Sequence, residues 1–560
     1  MKYAIRSLAP AILCVLLCGC QSISYWWRND KRVGPNYGQP ATNTADNYVD
    51  AVDETNAALV RSERSIEPEW WHAFQDPALD QLIQCAYAQN LSLKTAAWRI
   101  EEARAIRRIA AANLLPQSQT AFGQFAHTQN SRTIGTAFPG FPVTVDDWSV
   151  GFDAGWEIDL WGRIRRSIDA SDAQLQATVH DYEFAIVTLV GDVATLYLQI
   201  RSLDERLELA KKNVKLQSGS LEIAEIRFRE GRTSKLDVVQ AESNLALTES
   251  LIPSLELARR QSLNALAVLL GIPPGEISNC GLAFLEPGGL PEVPSEVIVG
   301  IPAELLRRRP DIRSAERIMA AQFEQIGIAE AELYPTMTIG GTLGLQSAQL
   351  SRLFDGRSFT GTIAPAFRWN ILNYGRLKQA IRVEEARFQQ IQWDFQNAVL
   401  NAQREVEDGI AEFIKVKEQL QSVAKQVKAN EESVELAISL YKEGKQDFGR
   451  VFIVESGLVQ SQDQLVALRA NVALALVKTY KSLGGGWEIR CTGGPQAFGE
   501  LSTQVLVSTD QAEIQALPEI AVADDSAMPL LGNEAGEVDS SPPPIQEAPA
   551  LEPIEIPSSR

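Results

Sequence analysis

The octet Trp156-Glu157-Ile158-Asp159-Leu160-Trp161-Gly162-Arg163 occurs a second time, altered, as Trp369-Asn370-Ile371-Leu372-Asn373-Tyr374-Gly375-Arg376. Tryptophan, isoleucine, an aromatic ring and Gly-Arg keep their places at a separation of 213. Each copy closes an alternating apolar and polar run and opens a long helical pattern, so each marks a passage from sheet to helix. Other landmarks keep the same separation. Phe228-Arg229-Glu230-Gly231 falls on Tyr441-Lys442-Glu443-Gly444, and Leu270-Gly271 falls on Leu483-Gly484. Upstream the separation is 219, which carries Leu114-Leu115-Pro116 onto Leu333-Tyr334-Pro335 and Leu93 onto Ile312. The extra residues of the first copy lie between the proline and the octet, where a loop tip absorbs them. So long a period is outside the range of solenoid repeats, and the chain is two structural halves.

The run before each octet alternates strictly. Trp148, Val150, Phe152, Ala154, Trp156 and Ile158 oppose Ser149, Gly151, Asp153, Gly155, Glu157 and Asp159. In the second half Phe359, Gly361, Ile363, Pro365, Phe367, Trp369 and Ile371 oppose Thr360, Thr362, Ala364, Ala366, Arg368 and Asn370. Partner runs precede both, which predicts two hairpins with strands at about 118–128 and 145–159, then 336–346 and 358–372. The tip of the first hairpin is Phe138-Pro139-Gly140-Phe141-Pro142. Strands of this length, apolar outside and polar inside, match those of outer-membrane barrels. An amphipathic sheet lying on a soluble core shows the same alternation. Four strands cannot close a barrel, and an open edge in lipid leaves backbone groups unpaired, so a membrane role requires oligomerisation. Asp153, Glu157 and Asp159 are then expected to face an acidic lumen that favours cations.

Beyond each octet the chain is rich in Ala, Leu, Glu, Gln, Lys and Arg and free of proline from Arg163 to Ser250 and from Leu377 to Leu483. Long helices follow. Each run is broken once, at Gly231 and at Gly444, where glycine suits a helix C-terminus and Ser234 or Asp447 can cap the next helix. Two helical hairpins with arms of some fifty residues, on the order of 75 Å, are expected. A coiled-coil rod or a packed bundle would carry similar stripes.

Lys2 and Arg6 precede an apolar run from Leu8 to Cys18, the layout of a bacterial export signal. The run ends in Leu17-Cys18-Gly19-Cys20, which resembles a lipobox with Cys20 as the acylated residue, and Gln21 after it is compatible with the outer membrane. Of the remaining cysteines Cys85, Cys280 and Cys491, the last two follow the Leu-Gly landmark of their halves, so either a disulfide or two separate thiols fits. A formal charge of −19 argues against nucleic acid, which needs clustered Lys and Arg. The three histidines are far apart in sequence, and no nucleophile, acid and base pair or metal-ligand spacing stands out, so neither an enzyme nor a cofactor is expected. Gly484-Gly485-Gly486 lacks the Lys and Ser/Thr of a phosphate-cradling loop.

Several further motifs carry a resemblance. Val33-Gly34-Pro35-Asn36-Tyr37, Trp70-Trp71 with Phe74-Gln75-Asp76-Pro77-Ala78-Leu79-Asp80, Arg309-Pro310-Asp311-Ile312, the duplicated octets and the turn from Gly231 to Val238 together resemble the TolC-like outer-membrane factors, in particular their NodT/OprM-type lipoproteins, over about residues 12 to 490. The resemblance implies an α+β membrane protein: a homotrimer whose chains each give four strands to a twelve-stranded β-barrel, continued by a periplasmic α-helical barrel. It implies the exit duct of a tripartite efflux pump, docked through an adaptor protein to an inner-membrane transporter, most often of the resistance-nodulation-division class. The domains would be a signal peptide (1–19), an anchor and equatorial segment (20–90), repeat 1 (91–271), a crossing linker (272–310), repeat 2 (311–490) and an acidic, proline-rich tail (491–560).

In that family the helical turns are periplasmic tips that meet the adaptor and close the duct. Arg227, Gly231, Ser234, Leu236 and Gly444 are accordingly the adaptor-contact candidates, and Asp447, Arg450 and Glu455 the candidates for a closed-tip polar network. The second tip departs from the family pattern at Phe448-Gly449-Arg450-Val451-Phe452. Removing the charge of Arg450 or Glu455 is expected to raise conductance. A type I protein-secretion duct shares this architecture, and a non-conducting structural lipoprotein of the periplasm is the reading from a different class.

Overall fold

A computed structural model of the chain describes residues 26–39, 42, 45, 47–52, 60–62, 68–129, 131, 144–280, 288–294, 297–299 and 308–490. Cys20, the hairpin tip at 138–142, Cys491 and the acidic tail lie outside the described residues. The elements in order are α1 (Val49–Val52), β1 (Val60–Ser62), α2 (Pro77–Gln89), α3 (Leu91–Ala112), β2 (Ser118–Gln129), β3 (Thr144–Ile158), α4 (Arg163–Arg229), α5 (Lys235–Leu269), β4 (Val297–Val299), α6 (Pro310–Ala331), β5 (Thr336–Ser347), β6 (Phe359–Arg368), α7 (Arg376–Lys442) and α8 (Phe448–Ser482), with short 3-10 turns between.

The duplication is metric as well as sequential. The helices of the first half have 22, 67 and 35 residues, and those of the second half have 22, 67 and 35. The hairpin arms are therefore unequal, not some fifty residues each. The long arm of 67 residues extends roughly 100 Å at 1.5 Å per residue. The short arm is completed by the upstream helix of the same half, because the two meet end to end. Asn90 Nδ2 donates to Leu269 O at 2.8 Å where α5 ends and α3 begins. In the second half Arg309 Nη1 donates to Ser482 O at 2.8 Å where α8 ends and α6 begins. The breaks are Gly271 (φ +70°) and Gly484 (φ +74°), left-handed positions that stop each helix. A Cβ on Gly271 would sit 2.7 Å from Gln89 O and one on Gly484 2.9 Å from Arg309 Cα, so a side chain at either would block the abutment. Pro253, just past the proline-free run, lies inside α5.

The strands form one antiparallel sheet in the order β2-β3-β5-β6, and β1 pairs with β4 in a separate parallel pair. Both halves thus contribute one hairpin to a common sheet, joined through β3 and β5. Around the middle of the helices the N-terminal segment packs as a collar. Trp70, Trp71 and Phe74 are buried, and Trp70 stacks on Tyr480 with centroids 5.6 Å apart. The chain before it forms a strap: Arg166, 1% exposed, donates to the carbonyls of Val33, Gly34 and Pro35 and pairs with Glu324 at 2.7 Å.

Candidate functional site

Opposed residues of an antiparallel pair share a face, so the register decides which side chains stand together. Ala121, Phe152, Leu343 and Gly361 form one row across all four strands, followed by Ala154, Gly341 and Ile363 and by Val150, Leu345 and Phe359. The opposite face carries Thr120, Asp153, Thr342 and Thr362, with Glu157 opposite Thr338 and Ser149 opposite Gln346. A sheet resting on a core would bury the first face. Instead Phe152, Ile363 and Phe367 are 70%, 79% and 78% exposed. An apolar face this large has lipid as its natural solvent.

Asp153 stands on the polar face and accepts from Thr342 Oγ1 at 2.6 Å. Glu157 is held by Arg163 Nη2 at 2.8 Å. Asp159 corrects the expectation of three lumen-facing strand carboxylates. It lies past the end of β3, its side chain is 7% exposed, and it accepts from the Arg165 backbone N–H at 3.0 Å and from Nε at 3.1 Å. A carboxylate there meets the unpaired N–H groups of the first turn of α4.

The two octets are built alike. Trp156 Nε1 donates to Leu114 O at 3.0 Å, and Trp369 Nε1 donates to Leu333 O at 2.9 Å. Each indole ties the far end of its hairpin to the turn that enters it. Gly162 and Gly375 precede the long helices at φ +82° and +81°. There the chain leaves the sheet by a backbone conformation that L side chains rarely adopt.

At the other end of the long helices the tips end in paired Schellman motifs. The Arg232 N–H donates to Arg227 O at 2.9 Å and the Gly231 N–H to Phe228 O at 2.9 Å. One repeat later the Lys445 N–H donates to Leu440 O and the Gly444 N–H to Tyr441 O, both at 3.0 Å. Gly231, Ser234 and Leu236 are exposed, Leu236 at 63%. Arg227 departs from the expected outward contact. Its guanidinium lies 4.7 Å over the Tyr441 ring and donates to the carbonyls of Tyr441 and Lys442, so it clamps the first tip to the second. Gly444 faces that clamp, with Arg227 Nη2 3.2 Å from where a Cβ would stand. A second tie runs from Tyr441 Oη to Asp237 at 3.2 Å, and Asp237 also accepts from Thr233 Oγ1. Burial raises the Tyr441 phenol above its ordinary value, partly offset by Thr233, so it stays a donor.

Asp447, Arg450 and Glu455 are not one network. Asp447 caps α8, accepting from the Arg450 backbone N–H at 3.2 Å, and the Arg450 side chain is exposed. Glu455 is 1% exposed and lies inside the shaft, about 10 Å above the tip by helix rise. It accepts from Ser220 Oγ at 2.5 Å and Asn244 Nδ2 at 2.9 Å, and Ser456 Oγ donates to Asn244 Oδ1 at 3.0 Å. Burial raises its carboxyl above the ordinary range, against the two hydrogen bonds, and among the described residues no cation pairs with it. A buried polar layer thus crosses α4, α5 and α8 just above the apolar tip cluster of Ala224, Val238, Ala241, Ala437, Tyr441, Phe448 and Val451.

Tyr441 lies within a repeat landmark and Asp237 within the turn from Gly231 to Val238, and an acid three residues into a helix start signals a cap but not a cross-tip bond. Among the described residues no group of three or more His, Cys, Asp and Glu could hold a metal ion.

An exposed apolar sheet face, two edges left open among the described residues and long helices tied at their far ends fit a chain that spans a membrane together with partner strands. Residues 82–272 and 301–485 match the outer membrane efflux protein family, and the chain belongs to it. It is the outer-membrane component of an efflux system. The pyoverdine export outer membrane protein OpmQ of Pseudomonas putida is 32% identical over 432 residues, 75% of this chain and 89% of that protein. Nodulation protein T of Rhizobium leguminosarum bv. viciae is 28% identical over 513 residues, 91% of this chain and 98% of that protein. The structure of the outer-membrane channel OprN superposes with a TM-score of 0.75 at 29% identity, covering 81% of this chain and 99% of that one.

Proposed function

We propose that three copies of this chain close their four-stranded sheets into one twelve-stranded barrel and their long helices into a periplasmic tunnel. The observation that carries this is the pair of edges, β2 and β6, unpaired among the described residues and flanking a sheet whose outer face is apolar. In lipid those edges are tolerable only when joined to each other around a ring. Such a duct passively conducts drugs or other small toxic compounds handed on by an adaptor and an inner-membrane transporter of the resistance-nodulation-division class. Cys20 carries the acyl anchor. Asp153 and Glu157 line the barrel and favour cations. Ser234, Leu236, Gly231 and Gly444 form the adaptor-facing tips. The closed state is held by Arg227, Tyr441 and Asp237 at the tip and by Glu455 above it, while Asp447 and Arg450 shape the start of α8. The mass of the detergent-solubilised full-length protein tests the assembly: three chains support it, and a stable single chain contradicts it.

A further inference from the structure

The chain contains one complete joint between neighbouring halves. Trp161, the sixth residue of the first octet, stacks on Tyr334 with ring centroids 4.7 Å apart, and its Nε1 donates to Pro335 O at 2.8 Å. The sheet-to-helix junction of the first half therefore sits on the helix-to-sheet turn of the second. By the repeat, Trp161 corresponds to Tyr374 and Tyr334 to Leu115. Both counterparts are bare: Tyr374 is 99% exposed and Leu115 67%. The helices show the same asymmetry. α4 packs on α6 of the other half, whereas its counterpart α7 packs mainly on α6 and α8 and meets α4 and α5 at the tip. Trp393 on α7 and Trp98 on α3 are left 64% and 65% exposed.

We propose that Tyr374 of one copy seats on Leu115 of the next, an inter-chain replica of the Trp161–Tyr334 joint. This rests on the ring assembly proposed above and names the contact that closes it. The replica is the plainer of the two. Trp161 is also covered by the strap, with Trp26 at 5.5 Å between centroids, and Arg32 occupies the space over Gly162. Among the described residues nothing lies within 4 Å of a Cβ on Gly375. The strap cannot be copied, because its receptor is not repeated. Arg166 corresponds to Gln379, and Gly327, where a Cβ would collide with Arg166, corresponds to Arg108. Around the ring, strapped joints within chains alternate with unstrapped joints between chains. The copies separate at the unstrapped ones.

The full-length protein in outer membranes tests this with Y374C and L115C combined and linked by a short bis-maleimide. A ladder up to the full assembly is expected from the double variant and none from either single variant, which also excludes links through Cys85, Cys280 or Cys491. W161C with Y334C should link only within a chain. Absence of the ladder while the native complex keeps its mass overturns the joint and leaves the assembly standing. A complex of single-chain mass overturns the assembly itself. Should the cysteine variant fail to reach the membrane, a photoreactive phenylalanine at position 374 replaces it. Adducts on another copy's peptide around Leu115 support the joint, and adducts confined to lipid or to the same chain overturn it.

Discussion

Trp156 and Leu114 are joined by an indole-to-carbonyl hydrogen bond of 3.0 Å, and the second half repeats the bond between Trp369 and Leu333 at 2.9 Å. The bond pins the last residues of a hairpin to the turn through which the chain entered it. W156F and W369F keep the aromatic bulk and remove the donor. Each is expected to cost about 1 kcal/mol, the usual net value of such a bond. The two sites belong to separate hairpins and share no partner, so the double variant should be additive. Thermal dissociation of the assembled protein measures both.

The clamp at the tips makes a different demand. R227A removes a cation over Tyr441 and the two hydrogen bonds that Nη1 makes to the end of α7. Y441F removes the bond to Asp237. Each should raise single-channel conductance, and the pair should be non-additive because both act on Tyr441. Arg450 is exposed with its backbone N–H capped by Asp447, so R450A should leave conductance close to that of the parent protein.

Glu455 gives the shaft a dependence on pH. Its carboxyl is raised by burial, so the packed arrangement favours the protonated form. The contribution to local stability is full below the ordinary glutamate value and is lost as pH rises through the raised one. Hydrogen exchange at the start of α8, corrected for intrinsic rates, should therefore show easier opening across that window. E455Q should flatten the dependence. E455A, which leaves Ser220 and Asn244 without their acceptor, should weaken the tip at every pH by about 1–3 kcal/mol.

Asp153 stands mid-strand on the polar face, and D153N should shift the reversal potential in a salt gradient toward lower cation preference without changing assembly. D159N acts elsewhere. It weakens the anchor of Arg165 at the start of α4 and should lower stability while leaving selectivity unchanged.

Much of this was legible in the sequence because the chain states its plan twice. The octets located both sheet-to-helix junctions, and alternation separated the apolar from the polar face of the strands. Arm length was misread because the ends of α5 and α8 are marked only by Gly271 and Gly484, whose role depends on a helix start arriving from elsewhere in the chain. Asp159 alternates in step with Asp153 and Glu157, and only the reach of Arg165 shows that it caps a helix. Glu455 reads from the sequence as part of a tip network with Asp447 and Arg450, because its actual partners, Ser220 and Asn244, lie more than two hundred residues away. Arg166 and its strap left no periodic signal, since the contact occurs in one half only.

Recording from the purified full-length protein in a planar lipid bilayer tests the central claim most directly. Stable, discrete, cation-favouring current steps, enlarged by R227A, are the predicted result. A protein that inserts as a trimer and carries no current in either form would contradict a conducting duct.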